Sequence, residues 1–192
     1  SFGLWLKIAT NGSIVLSMPQ SEMGQGVMTE LAEILAGEIG ADWRTIAVQP
    51  VVPEPGFAHA LLASQWFADL NRTDVLTAPM PEPASDADAP LPDGDAAQWA
   101  AENAFVVTGG STSVPMFEAP LRQAAAAARA MLCMAAARKW GGNWEALDTA
   151  KGFVVNPDDR KQRLAFADLA DAAARETPPD PVPLRARRTD PL

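Results

Sequence analysis

A long segment from about Met116 to Trp140 constrains the fold most, because its composition and period predict one continuous helix whose inner face is mainly alanine. Pro120 is assigned to the region of the first turn, where proline is tolerated, and Gly141 ends the helix. An alanine face lets another backbone approach closely, so we expect this helix to be central. The predicted inner face consists of Leu121, Ala124, Ala128, Leu132, Ala135 and Ala136.

Alanine also limits the hydrophobic core. It supplies 37 of the 192 residues, which leaves 55 larger apolar side chains, about 29% of the chain. Because alanine buries little surface, the core is thin for a chain of this length. We therefore expect the chain to rely on a partner, a cofactor or further sequence, and to expose an apolar face that allows self-association.

Charge, cysteine and histidine content exclude several kinds of site. Fifteen basic against 24 acidic residues give a net charge of −9, which argues against a nucleic-acid partner. The single cysteine, Cys133, excludes an intramolecular disulfide or a cysteine-pair metal site, and its apolar neighbours predict a buried, inert thiol. The single histidine, His59, has no cysteine or carboxylate at ligand spacing, so we do not assign it to a metal site. No apolar run approaches the roughly 20 residues that span a membrane.

The first two predicted strands form an N-terminal β-hairpin. They are the short apolar runs at residues 4–8 and 14–18. Between them, Asn11-Gly12 is typical of a tight turn in which both residues take positive φ. This hairpin is the firmest local prediction.

The period changes after the hairpin and predicts helices mixed with further strands. A helix begins near Val27 and is closed by Gly40. Residues 44–52 form a third strand, which lies at an edge of the sheet or ends near Pro50 because proline lacks an N–H. The later predicted elements are a strand at 104–107, a hairpin over 153–164 and a helix over 166–175. This order predicts an α+β fold with helices packed on one face of a mixed β-sheet.

Two stretches are predicted to lie outside the packed core. Residues 76–98 are rich in proline, alanine and aspartate, hold five acidic residues and no basic one, and are interpreted as a solvated loop insertion. The proline-rich residues 177–192 are interpreted as a linker to a downstream domain that this chain lacks. One partial domain then occupies residues 1–176.

The first segment that predicts chemistry is a glycine turn between a strand and a helix, around Gly24 and Gly26. Such a turn can build an anion site from backbone N–H groups and the positive end of the helix dipole. The alternative is an ordinary tight turn. The segment has no Gly-Lys-Ser/Thr, and Thr29 stands where a dinucleotide fingerprint needs a third glycine. Glu22 is interpreted as a cap of this turn or as a charge-balancing residue rather than as a base.

The second segment, residues 108–113, repeats the design with the order Thr-Gly-Gly-Ser-Thr-Ser before the long helix. The alternative here is a loop with a helix cap. Two such turns in one small domain favour a single extended ligand that bears phosphate.

These motifs resemble those of the molybdopterin-binding subunit of the xanthine dehydrogenase and aldehyde oxidase family, in its isoquinoline 1-oxidoreductase β-subunit branch. The resemblance rests on Ser-Glu-Met-Gly-Gln-Gly at 21–26, Ile-Gly-Ala-Asp-Trp at 39–43 and the segment 108–113. It covers the chain except the acidic stretch.

The resemblance implies a cofactor, a site and partners. The cofactor is a molybdenum–molybdopterin cytosine dinucleotide, and the reaction oxidises an aldehyde or an N-heterocycle with water as the oxygen source. The partners are the rest of the molybdopterin subunit and a separate 2Fe-2S iron–sulfur subunit. The implied cofactor-binding residues are Met23, Gly24, Gln25 and Gly26 on one turn and Gly110, Ser111, Thr112 and Ser113 on the other.

The sequence departs from the family pattern in two places. It has neither the Gly-x-Gly-Glu motif that carries the family's catalytic glutamate nor the Gly-Gly-x-Phe cofactor loop. We therefore expect an N-terminal piece that holds part of the cofactor surface and has no catalytic residue. Two alternatives stay open: a non-catalytic binding or assembly module, and a general nucleotide-phosphate binder.

Overall fold

The computed structural model describes residues 2–70 and 94–186. The chain divides into two compact units. Unit 1 consists of Ser1–Ser17, Thr29–Gln49 and Ala119–Leu192, and unit 2 consists of Met18–Met28 and Pro50–Glu118.

The described residues form an α+β fold, which confirms the predicted class. The helices are α1 (Val27–Ile39), α2 (Ala60–Leu70), α3 (Gly94–Glu102), α4 (Ser113–Trp140) and α5 (Phe166–Ala173). The strands are β1 (Leu6–Ile8), β2 (Ile14–Met18), β3 (Ile46–Pro50), β4 (Asp148–Ala150), β5 (Phe153–Asn156) and β6 (Asp159–Ala165). They are divided between two three-stranded sheets, of order β1-β2-β3 and β4-β5-β6.

The N-terminal hairpin is present, but its turn is wider than expected. Strands β1 and β2 are antiparallel, with Leu6 opposite Leu16. Among the turn residues only Gly12 takes a positive φ, at +86°. Ala9 donates to the Ser13 carbonyl, and the Asn11 side chain accepts from the Ser13 N–H. The loop therefore has three residues with glycine in the left-handed position, instead of a two-residue turn.

Helix α1 ends where the sequence predicts, because Gly40 takes a φ of +74° and donates to the Ala36 carbonyl. This glycine is also required by a close approach. A Cβ at position 40 would lie 2.5 Å from the backbone oxygen of Thr149. Strand β3 ends at Pro50 and lies at the edge of its sheet, as predicted.

The alanine-rich helix α4 is buried over most of its circumference. Five of the six predicted inner residues are buried, whereas Ala124 is half-buried. Other small side chains, including Ala125 and Cys133, are buried as well, so the helix is central. It begins at Ser113 rather than near Met116, and Pro120 consequently lies inside the helix instead of in its first turn.

Unit 1 contains a buried carboxylate that is fully paired. The Glu38 side chain is 2% exposed and accepts from Arg122 at 2.9 Å and Arg129 at 3.2 Å. It also accepts from the backbone N–H of Arg185 at 2.8 Å, and the Arg185 guanidinium bonds Asp148. A buried charge without such partners would be strongly destabilising. This cluster holds residue 185 of the predicted linker against unit 1, while the linker's role stays a prediction.

Some boundaries differ from the sequence-based prediction. Residues 94–98, assigned to the acidic loop, form the first half of α3, and residues 76–93 lie outside the described part of the chain. The segment 104–107 is not a strand: Ala104 lies in a turn with a φ of +44°, and the Phe105 carbonyl accepts from the His59 N–H instead of from a neighbouring strand. The remaining missed elements are α2 and β4.

Candidate functional site

The two predicted turns lie side by side in unit 2. We name them the first glycine turn (residues 21–26) and the second glycine turn (residues 108–113). The Ser21 N–H donates to Thr108 Oγ1 at 2.8 Å, and Ser113 Oγ donates to the side-chain oxygen of Gln20 at 2.5 Å. Gln20 is buried and its amide also donates to the Val107 carbonyl at 3.5 Å. The structure therefore joins segments that are about ninety residues apart in sequence.

Glu22 fills the first glycine turn. Its Oε1 accepts from the N–H groups of Gly24 and Gly26, both at 2.9 Å, and its Oε2 accepts from the Met28 N–H at 3.2 Å. These bonds, chiefly that from Gly26, lower the pKa of the Glu22 carboxyl. The carboxylate thus occupies the anion site that the start of α1 creates, as a cap rather than as a base.

Gln25 and the two glycines complete the first glycine turn. The Gln25 amide donates to the Ser21 carbonyl at 2.9 Å and accepts from the Met23 N–H at 2.5 Å. Gly24 and Gly26 have φ angles of +95° and +83°, which other residues rarely adopt. All four predicted residues of this turn are exposed, and the Met23 side chain is 68% exposed.

The second glycine turn has an exposed tip and a buried base. Gly110 and Ser111 are exposed and take φ angles of +60° and +55°. Within the described ranges, no hydrogen-bond acceptor is found for the N–H of either residue. Thr112 and Ser113 are buried, so the four predicted residues divide into an open pair and a supporting pair.

His59 supports this turn from below. Its ring is fully buried, and Nε2 lies 3.0 Å from Thr112 Oγ1. Thr112 Oγ1 in turn donates to the Gly109 carbonyl at 2.8 Å. Burial lowers the pKa of His59 to about 4, so the ring is neutral at neutral pH. The sequence gives no sign of its burial or of its contact with Thr112.

The contacts that sequence reasoning missed are those of Gln20 with Ser113, of Thr108 with Ser21 and of His59 with Thr112. None of these residues belongs to a local motif with its partner, because the partners are 53 to 93 residues away in the chain. The sequence offers only a weak indication of these contacts: a glutamine or histidine that is buried needs hydrogen-bond partners.

The predicted burial of Cys133, which lies outside the two turns, is confirmed. Cys133 is buried, and this burial raises the pKa of its thiol to about 11, which makes it an inert thiol at neutral pH. Over residues 2–70 and 94–186, no three histidine, cysteine, aspartate or glutamate residues are grouped so that they could hold a metal ion. In the same part of the chain, no helix has both the length and the apolar character needed to cross a membrane.

Comparisons with known proteins find distant relatives. No protein-family model matches the chain. A membrane-bound aldehyde dehydrogenase [pyrroloquinoline-quinone] of Gluconacetobacter polyoxogenes is 33% identical over 63 residues, which are 33% of this chain and 8% of that protein. The isoquinoline 1-oxidoreductase subunit beta of Brevundimonas diminuta is 26% identical over 159 residues, which are 82% of this chain and 15% of that protein.

A solved structure shares the fold. The crystal structure of quinoline 2-oxidoreductase from Pseudomonas putida 86 matches 88% of this chain and 16% of its own chain, with a TM-score of 0.51 and 14% identity. The chain thus spans less than a sixth of the length of each curated relative. Its distant relatives are named as oxidoreductases or dehydrogenases, and its fold recurs as a small part of one such enzyme.

Proposed function

We propose that this chain is the N-terminal piece of a molybdenum hydroxylase large subunit, in which the two glycine turns form part of the surface that binds a molybdopterin dinucleotide. The complete enzyme oxidises an aldehyde or an N-heterocycle with water as the oxygen source, and this chain is not catalytic by itself. The oxidoreductase names of its relatives and the resemblance of both motifs to that family support the proposal.

The observation that carries the proposal is the pairing of the two turns. Each precedes a helix, and two hydrogen bonds fasten them together, from Ser21 to Thr108 and from Ser113 to Gln20. A ligand that bears phosphate at one end and a polar ring system at the other can bind across such a pair of turns, because both present polar groups at helix starts.

The donor groups fit a phosphate better on the second glycine turn than on the first. Gly110 and Ser111 offer two N–H groups and an exposed hydroxyl at the start of α4, where the helix dipole favours negative charge. On the first turn, Glu22 already holds the N–H groups of Gly24 and Gly26. We therefore assign the phosphate to the second turn.

The other predicted residues then have different tasks. On the first glycine turn, Met23, Gly24, Gln25 and Gly26 face the pterin, and the Gln25 amide is the hydrogen-bonding group. Thr112 and Ser113 shape the second turn from within, since both hydroxyls are buried and bonded inside the protein. When bound, the molybdenum cofactor supplies the redox chemistry, and the residues of this chain bind and orient it.

The proposed assembly contains two further components. The rest of the molybdopterin subunit supplies the catalytic glutamate and the remaining cofactor contacts. Electrons leave through a separate 2Fe-2S subunit, since a single cysteine cannot hold a cluster. The cytosine dinucleotide is the expected form of the cofactor.

The first experiment measures the intact mass and the molybdenum, pterin and pyrroloquinoline-quinone content of the protein purified from its native host. We expect molybdenum and pterin together, with a larger chain or a tightly bound second chain. Pyrroloquinoline quinone without molybdenum would overturn the proposal in favour of the cofactor that one relative's name specifies. A lone, metal-free species of 20.3 kDa would instead favour a binding or assembly module.

A second experiment tests the assigned phosphate position with a matched pair of variants, Ser111→Asp and Ser111→Asn. Both residues tolerate the left-handed φ and have nearly the same shape, so the pair differs in charge alone. We expect Ser111→Asp to lower the molybdenum and pterin content at least about tenfold by repulsion of the phosphate, and Ser111→Asn to retain it.

The control for this pair is Lys151, an exposed residue of unit 1 with a φ of +51°. Lys151→Asp and Lys151→Asn differ by the same single charge in a similar backbone conformation. We expect equal cofactor content in these two variants. Equal molybdenum and pterin content in the two Ser111 variants would show that the phosphate does not bind at the second glycine turn.

A further inference from the structure

The backbone of His59 is fixed on both sides. His59 precedes helix α2, and its N–H donates to the Phe105 carbonyl at 2.7 Å while its carbonyl accepts from Ala63 at 3.0 Å. Its ring meets Phe117 edge-on, with 5.1 Å between ring centroids. The imidazole is therefore held in one orientation inside unit 2.

The hydrogen bonds of the ring define one tautomer. Nδ1 accepts from the Leu62 N–H at 3.2 Å, so Nδ1 carries no proton and caps α2. The single hydroxyl proton of Thr112 goes to the Gly109 carbonyl at 2.8 Å. Thr112 Oγ1 must then accept from Nε2–H of the ring, at 3.0 Å. This assignment satisfies every member of the chain from Leu62 to Gly109.

The chain of bonds ends on a turn whose conformation needs support. Ser111 has a φ of +55°, and a side-chain-bearing residue in this region persists only where its surroundings hold it there. Thr112 and the Gly109 carbonyl flank the tip of the turn on either side. The bonded histidine therefore fixes both ends of the segment that exposes the N–H groups of Gly110 and Ser111.

We propose that His59 is the positioning residue of the second glycine turn: through Thr112 it holds the N–H groups of Gly110 and Ser111 in the arrangement that receives a phosphate group. That the turn receives a phosphate group rests on the function proposed above. That His59 holds the conformation of the turn does not depend on it. His59 itself does not contact the ligand, because its ring is fully buried.

Two conservative variants separate the two nitrogens of the ring. His59→Asn keeps an acceptor near the Nδ1 position and so retains the cap of α2, but it removes the donor to Thr112. His59→Gln keeps an amide donor near the Nε2 position. Amide hydrogen exchange at residue 112 reports the mechanical effect, because this N–H closes the turn by donating to the Gly109 carbonyl at 3.3 Å. It is measured in the full chain and relative to the intrinsic rate of each variant. We expect exchange at least about tenfold faster in His59→Asn, the equivalent of one lost buried hydrogen bond, and near-native exchange in His59→Gln.

Thr112 provides the matching test from the other side of the contact. Thr112→Val has nearly the same shape without the hydroxyl, and we expect it to accelerate exchange as His59→Asn does. The double variant should be little worse than either single one, because both remove the same contact. Thr112→Ser keeps the hydroxyl and serves as the control.

Cofactor content in the protein from its native host separates failure of this inference from failure of the proposed function. Molybdenum and pterin should fall in His59→Asn and return in His59→Gln. If the unaltered protein carries neither while exchange follows the variants as expected, the proposed function fails and the positioning role stands. Unchanged exchange in His59→Asn and Thr112→Val would overturn the positioning role.

Discussion

The two glycine turns are similar in sequence, since each has two glycines and precedes a helix, but their backbone N–H groups are used differently in the structure. The first is closed by its own chain, because the Glu22 carboxylate accepts from Gly24, Gly26 and Met28. The second is held from below by neutral contacts of His59 and Gln20, and its tip keeps two N–H groups without acceptors among the described residues. A glycine turn before a helix therefore marks an anion site without saying whether the protein fills it.

Because of this difference, we expect the two turns to respond differently to a fall in pH. The support of the second turn depends on a histidine that must stay neutral, and that of the first depends on a carboxylate that must stay charged.

The largest effect is the acid sensitivity that His59 contributes. Its pKa is about 4 in the folded protein and near 6.5 when unfolded. Between these values only the unfolded chain binds the proton, so the contribution is complete above pH 6.5 and is lost as the pH falls toward 4. The free energy of unfolding should drop by about 1.4 kcal/mol per pH unit in this window. Urea unfolding of the native chain and of His59→Gln measures it, and parallel curves for the two proteins would contradict the prediction.

The next effect concerns the left-handed glycine of the first turn. Gly26→Ala should lower the free energy of unfolding by about 1–2 kcal/mol, because φ is +83° while an added Cβ meets nothing within 4 Å. Gly37 lies inside α1 with equally open space and no positive φ, so Gly37→Ala should instead stabilise by about 0.5–1 kcal/mol. Urea titrations of both variants test the opposite signs. An unchanged or raised stability of Gly26→Ala would show that the positive φ at this position carries no strain.

A smaller effect is expected at the strained tip of the second turn. Ser111→Gly should raise the free energy of unfolding by up to about 1 kcal/mol, because glycine relieves the positive φ. Lys151→Gly removes similar strain in unit 1 and should stabilise similarly. Cofactor content distinguishes them: only Ser111→Gly should reduce it. A loss of stability in Ser111→Gly would show that the serine side chain supports the turn.

The smallest effect is local to the first turn. The lowered pKa of Glu22 means that its contribution is present above about pH 4.5 and is lost as the pH falls below that value. Glu22→Gln should therefore accelerate amide exchange at Gly24 and Gly26 at pH 6, where the native carboxylate is charged. The acceleration should shrink at the lowest pH tested. Equal exchange in both proteins at pH 6 would show that Glu22 does not hold the turn.

Much of the local structure could be predicted from the sequence. Gly40 closes α1 because a left-handed residue ends a helix there, and Pro50 marks an edge strand because it lacks an N–H. The same local rules place the start of α4 too late, near Met116, although the Met116 N–H already donates to the Thr112 carbonyl. Helices α2 and α3 were missed because their alanine and polar residues give a weak apolar period.

The sequence by itself therefore determined the two glycine turns, the central alanine helix and the α+β class, because these depend on φ preference, proline chemistry and hydrophobic period within a few residues. Only the tertiary structure decided that Glu22 fills one turn and that His59 and Gln20 support the other. Those contacts join residues far apart in the chain or depend on where one flexible side chain points. Neither long-range contacts nor the orientation of a flexible side chain produces a periodic pattern of residues in the sequence.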